Sequence, residues 1–126
     1  MARTEVTVTK LVKDAATNAP TNVAIVHGDG AAIAAGGDAF GLQIELTNTF
    51  AGEKVMTIKA ATANRAAVRS GIGDLAITFA AGDGTPVVKK VLLESARFVQ
   101  ADGTIHIDFA ADTTGFMRAY RVPRGA

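Results

Sequence analysis

Apolar and polar residues alternate along much of this chain, most cleanly in Phe40-Gly41-Leu42-Gln43-Ile44-Glu45-Leu46 and in Ile105-His106-Ile107-Asp108-Phe109. A period of two sends successive side chains to opposite faces of an extended strand, so one face meets a core and the other stays free. The first such segment is Glu5 to Val12, where Val6 and Val8 alternate with Thr7 and Thr9. It is β-branched, lacks large anchors and predicts an edge strand or an N-terminal arm over residues 1–12. A polar, Pro-containing loop follows from Lys13 to Asn22. Val23 to Val26 is a short apolar run ending in the turn His27-Gly28-Asp29-Gly30, and Ala31 to Ala35 predicts another short strand.

Phe40 to Thr49 reads as a central strand and Lys54 to Ala60 as its hairpin partner across Phe50-Ala51-Gly52-Glu53. From Ala61 to Asp74 the alternation dissolves, and Gly71 and Gly73 stop any helical turn that the Ala-rich composition would allow. Leu75 to Phe79 alternates again, and Thr85 to Leu93 is extended with Pro86 at its start. Ser95 to Gln100 leads into Ala101-Asp102-Gly103, whose Asp-Gly step supplies the positive-φ position of a tight turn before Ile105 to Phe109. The last strand is Phe116 to Val122, closed by Pro123. Eight or nine strands at this spacing predict an all-β, antiparallel β-sandwich or jelly-roll-like domain with long loops, spanning 1–126 as one unit.

Composition narrows the chemistry. The 126 residues contain no cysteine, which excludes disulfides, thiolate metal sites and cysteine nucleophiles. Thirteen basic against twelve acidic residues give a net charge of +1, too balanced for the footprint of a nucleic-acid binder. No stretch is apolar for long enough to cross a bilayer, and Met1 to Val6 has no apolar leader region, so the expectation is a soluble protein made where it is used, with no membrane partner. The apolar content leans on Ala, which thins the core and favours stability gained by association with neighbours.

One constellation invites a catalytic interpretation. His27, Asp29 and the distant His106 have the residue types of a two-His-one-carboxylate iron site, with Arg118 placed to bind a carboxylate. The simpler interpretation, a turn histidine and a solvated strand histidine, is preferred, because His106 alternates with Ile105 and Ile107. No glycine pair forms a phosphate loop, and the two serines, Ser70 and Ser95, occupy no nucleophile elbow. The expectation is therefore no enzyme, no cofactor and no metal. The basic residues are more suggestive: Arg118, Tyr120, Arg121 and Arg124 close the chain with no acid after Asp112, and Arg65 and Arg69 lie in the middle loop. Each group reads either as a solvated, frayed segment or as an anchor for an acidic partner surface.

Several segments resemble the decoration, or cement, proteins of tailed-bacteriophage heads. They are Gly41-Leu42-Gln43-Ile44-Glu45-Leu46-Thr47-Asn48-Thr49, Gly73-Asp74-Leu75, Thr85-Pro86-Val87-Val88, Leu93 to Gly103 and Arg118-Ala119-Tyr120-Arg121-Val122-Pro123-Arg124. The resemblance implies a β-sandwich or barrel-like fold and binding to the major capsid protein on the capsid exterior after synthesis in the host cytoplasm. It also implies self-association into a homo-oligomer, a trimer being favoured, and no catalytic residues. A tail or head–tail connector protein is the alternative within a virion. A carbohydrate-binding module is weaker, since no Trp and one Tyr offer little stacking surface. Val6, Val8 and Lys10 are expected to pair with a neighbouring subunit's sheet, and Arg65, Arg69, Arg118, Tyr120, Arg121 and Arg124 to contact partners.

Overall fold

The computed structural model describes residues 3–12, 14–17, 22–36, 41–60, 74–82, 84–93, 98–100 and 102–122. They form ten strands and no α-helix: β1 Thr4–Val6, β2 Val8–Lys10, β3 Val23–Ala24, β4 Ala31–Ile33, β5 Leu42–Asn48, β6 Lys54–Ile58, β7 Leu75–Phe79, β8 Val87–Leu93, β9 Ile105–Phe109 and β10 Gly115–Arg121. The first sheet runs β1-β4-β9-β6-β7 and the second β2-β10-β5-β8, with β3 pairing β10 on the β2 side. One buried apolar cluster joins them: Ile33, Met56, Ile58, Ile105 and Ile107 come from the first sheet and Leu42, Ile44, Leu46 and Met117 from the second. Along β5 the burial alternates without a break, so the sequence pattern of this strand is the packing pattern.

Three expectations need correcting. The sheets are mixed, not purely antiparallel, because β1 pairs β4 and β2 pairs β10 in parallel. Residues 5–12 are not one strand: at Thr7 the chain leaves the edge of the first sheet and joins the edge of the second. The expected hairpin of 40–49 with 54–60 is absent, since β5 pairs β10 and β8 while β6 pairs β7 and β9. The physical reason is that alternation assigns a face, not a partner. Two strands that bury one face in the same core satisfy the pattern equally well from opposite sheets.

The crossing after β5 is pinned by Asn48, fully buried at the strand end. Its Nδ2 donates to the Ala80 carbonyl at 2.9 Å and its Oδ1 accepts the Phe50 N–H at 3.1 Å, so one side chain ties the end of β5 to the segment following β7. The Asp-Gly turn is as expected: Gly103 has φ 84, its N–H donates to the Gln100 carbonyl at 2.9 Å, and Val99 bridges to Ile105. Phe40 and most of the 61–74 stretch lie outside the described residues.

Candidate interaction surface

The register of the second sheet places nine side chains in three rows on its outer face. Phe116, Thr47 and Val88 form one row, Arg118, Glu45 and Lys90 the next, and Tyr120, Gln43 and Leu92 the third. These residues face outward because their neighbours along β5 and β10, Leu42, Ile44, Leu46, Met117 and Ala119, are buried. Large apolar side chains are left in solvent here: Val88 is 51%, Leu92 58% and Phe116 39% exposed, and Val122 follows at the same parity on the chain. Among the described residues, the other exposed large apolar side chains are Val12 and Val26, both outside strands, and none lies on the outer face of the first sheet.

The middle row is an electrostatic strut. Arg118 Nε lies 3.4 Å from Glu45 Oε2 and donates to Asn22 Oδ1, while Nη1 reaches the Tyr120 hydroxyl at 3.4 Å. Held from both sides, Arg118 and Tyr120 are pre-ordered, which lowers the entropy cost of using them in a contact. Glu45 neutralises Arg118, so Lys90 supplies the unpaired positive charge of the face among the described residues. Phe116, Tyr120 and Arg118 are of the aromatic and arginine types that are enriched at protein interfaces.

The terminal basic cluster is split by the strand period. Arg118 and Tyr120 lie on this face, whereas Arg121 turns to the sheet junction and donates from Nη2 to the Ala35 carbonyl at 2.8 Å. There it lines a groove of about 390 Å³ with Val8, Lys10, Ala34 and Gly36, so three sequence-predicted residues do come together. Val6 does not join them; at 1% exposure its side chain belongs to the core. Arg65, Arg69 and Arg124, like Ser70 and Ser95, lie outside the described residues.

On the outer face of the first sheet, Arg3, Glu5, Ala32, Asp102, Thr104 and His106 surround a depression of about 500 Å³. Burial, and then the positive charge of Arg3, push the His106 pKa below its ordinary value. Asp102 is held below the usual carboxylate range by the Thr104 hydroxyl and backbone N–H. His27 and Asp29 sit in the turn before β4, and no group of three His, Asp or Glu side chains converges on a common metal position among the described residues. The signal for the outer face of the second sheet was present in Val87-Val88-Lys89-Lys90-Val91-Leu92-Leu93. Apolar residues occupy both parities of that run, so no single buried face accommodates all of them and some must meet solvent. Compared with known proteins, this chain matches no family model, no curated protein and no solved structure.

Proposed function

We propose that this chain is a structural protein of a viral particle, docking through the outer face of its second sheet on the outside of a capsid lattice and bridging major capsid protein subunits there, with no bond made or broken. The observation that carries this reading is the asymmetry between the two outer faces. Val88, Leu92 and Phe116 are exposed around an ordered Arg118–Glu45 pair on one, and no large apolar residue is exposed on the other among the described residues. Large apolar side chains gathered in solvent on one face are a feature of interaction surfaces. Repetition over a lattice supplies the affinity, because a homo-oligomer that engages several subunits at once gains from effective concentration even when each contact is modest.

The strand order supports the jelly-roll part of the expectation. Leaving β1 and β2 aside, the strands run β3-β10-β5-β8 and β4-β9-β6-β7, with antiparallel neighbours throughout. This is the order of an eight-stranded jelly roll, a scaffold used in viral capsid and lectin domains. Fold alone does not carry function, so the weight rests on the exposed face. The test mixes purified protein with undecorated shells and images them. Saturable occupancy at fixed lattice positions is expected, and its loss in a Phe116→Ser/Leu92→Ser double variant but not in Thr57→Ser, on the first sheet. No occupancy by the parent protein overturns the reading, and labelling confined to tails transfers it to a tail or connector role.

A further inference from the structure

The segment Arg3 to Lys10 is bound to the rest of the molecule differently from every other strand among the described residues. Its two halves make the parallel pairings described above, β1 on β4 and β2 on β10, and both lie at sheet edges. Among the described residues, the remaining sheet pairs are antiparallel and form two four-stranded sheets without it. The segment is therefore an addition to a closed pattern, not a link within it.

What it adds is a seal across one side of the core. Val6 enters the shared apolar cluster, and the Val6 carbonyl accepts the Ala34 N–H at 2.9 Å just before the chain changes sheets. A built-in receptor holds its start: Arg3 Nη1 pairs with Asp108 Oδ1 at 2.7 Å and donates to the Ile107 carbonyl at 3.1 Å. Gly30 makes room for that guanidinium, because a Cβ there would run into it. At the far end the Leu11 N–H donates to the Arg121 carbonyl at 2.9 Å. Twelve residues, 11–22, then separate the segment from β3, enough extended chain to span about 40 Å.

We propose that residues 3–10 are an exchangeable strand that, when copies of this chain associate, seats in the same crevice of a neighbouring copy. The occupant is a second copy because the crevice already fits this sequence in register: Thr4, Glu5 and Val6 against Ala31, Ala32 and Ile33, and Val8, Thr9 and Lys10 against Ala119, Tyr120 and Arg121. In a closed ring of copies each donates one strand and accepts one, so every pairing, the Val6 seat and the Arg3 receptor are kept. Association then links the subunits through the core of each rather than through surface contacts alone. The proposal concerns the protein by itself and does not depend on a shell.

The cysteine-free chain allows a direct test. Glu5 and Ala32 are registered neighbours outside the core, at a spacing a disulfide can bridge. Single variants Glu5→Cys and Ala32→Cys are mixed, co-refolded at high concentration, oxidised and run on a non-reducing denaturing gel. A covalent heterodimer is expected, at least tenfold more abundant than that formed by Glu5→Cys with Thr114→Cys. Equal yields from the two mixtures overturn the proposal. In a second measurement, a chain lacking residues 1–11 is titrated with a synthetic peptide of residues 2–12. A saturable rise in its Tm is expected, and a Tm that does not respond, for a truncated protein that retains its β-sheet circular dichroism, overturns it.

Discussion

Single side chains set how this molecule responds to pH and where it is fragile. His106 is harder to protonate in the folded protein than in the unfolded chain, because burial and Arg3 disfavour its charge. The unfolded state therefore takes up the proton first as pH falls below the ordinary value of 6.5, and stability declines from there downward. A His106→Gln variant is expected to lose less stability than the parent between neutral pH and the carboxylate range, read as Tm against pH. Asp74 acts at a lower window: hydrogen bonds from Lys59 Nζ and the Ala60 N–H, both at 2.7 Å, hold its carboxyl below the usual range. Its contribution is present above that range and is lost as acid protonates the folded group, so Asp74→Asn should flatten the acid end of the same curve. Asn48 is the structural counterpart. Replacing it with Ala removes both hydrogen bonds at a part-buried strand end, and urea denaturation should show a loss of about 1–2 kcal/mol.

Strands differ in how openly the sequence declared them. β5, β7 and β9 follow their alternation, and each of these and β10 lies within two residues of its expected bounds. β8 was expected as an extended segment, but its mixed parity hid which side chains would be exposed. That strand and β7 are the edges of their sheets on the side away from β1 and β2. Lys89 guards this side: its Nζ donates to the Thr78 carbonyl at 2.8 Å and lies 5.5 Å from the centroid of the Phe79 ring. Charged side chains, lysine above all, are a common defence of open edges. Lys89→Ala should therefore raise concentration-dependent aggregation, measured by light scattering, while costing no more than about 1 kcal/mol of stability. Leu92→Ser, at 58% exposure on an edge strand, should change stability by about 1 kcal/mol or less, and Phe116→Ser, more than half buried on a central strand, by about 1–2 kcal/mol, so shell binding is compared at a temperature where circular dichroism shows both variants folded.

For the molecule as a whole, the core depends on both sheets at once. Ile107, fully buried and paired with Ala31 and Ile58, packs in the cluster that joins them, and Ile107→Ala should cost about 2–5 kcal/mol in a cooperative unfolding transition. The chain's own pattern determined that it is all-β, which residues of β5 and β9 face inward, and where the Asp102-Gly103 turn falls, because period and turn chemistry act over a few neighbouring residues. The same pattern placed Arg118 and Tyr120 among the candidate contacts without separating them from Arg121, which the strand period turns to the other side. Tertiary structure alone decided that β5 and β6 belong to different sheets, that residues 4–10 divide between two edges in parallel, and that Val88, Leu92 and Phe116 gather on one face. Those are choices of partner, and partner choice depends on residues distant in the sequence meeting across a shared core, where many pairings satisfy one local pattern and only the whole packing selects among them.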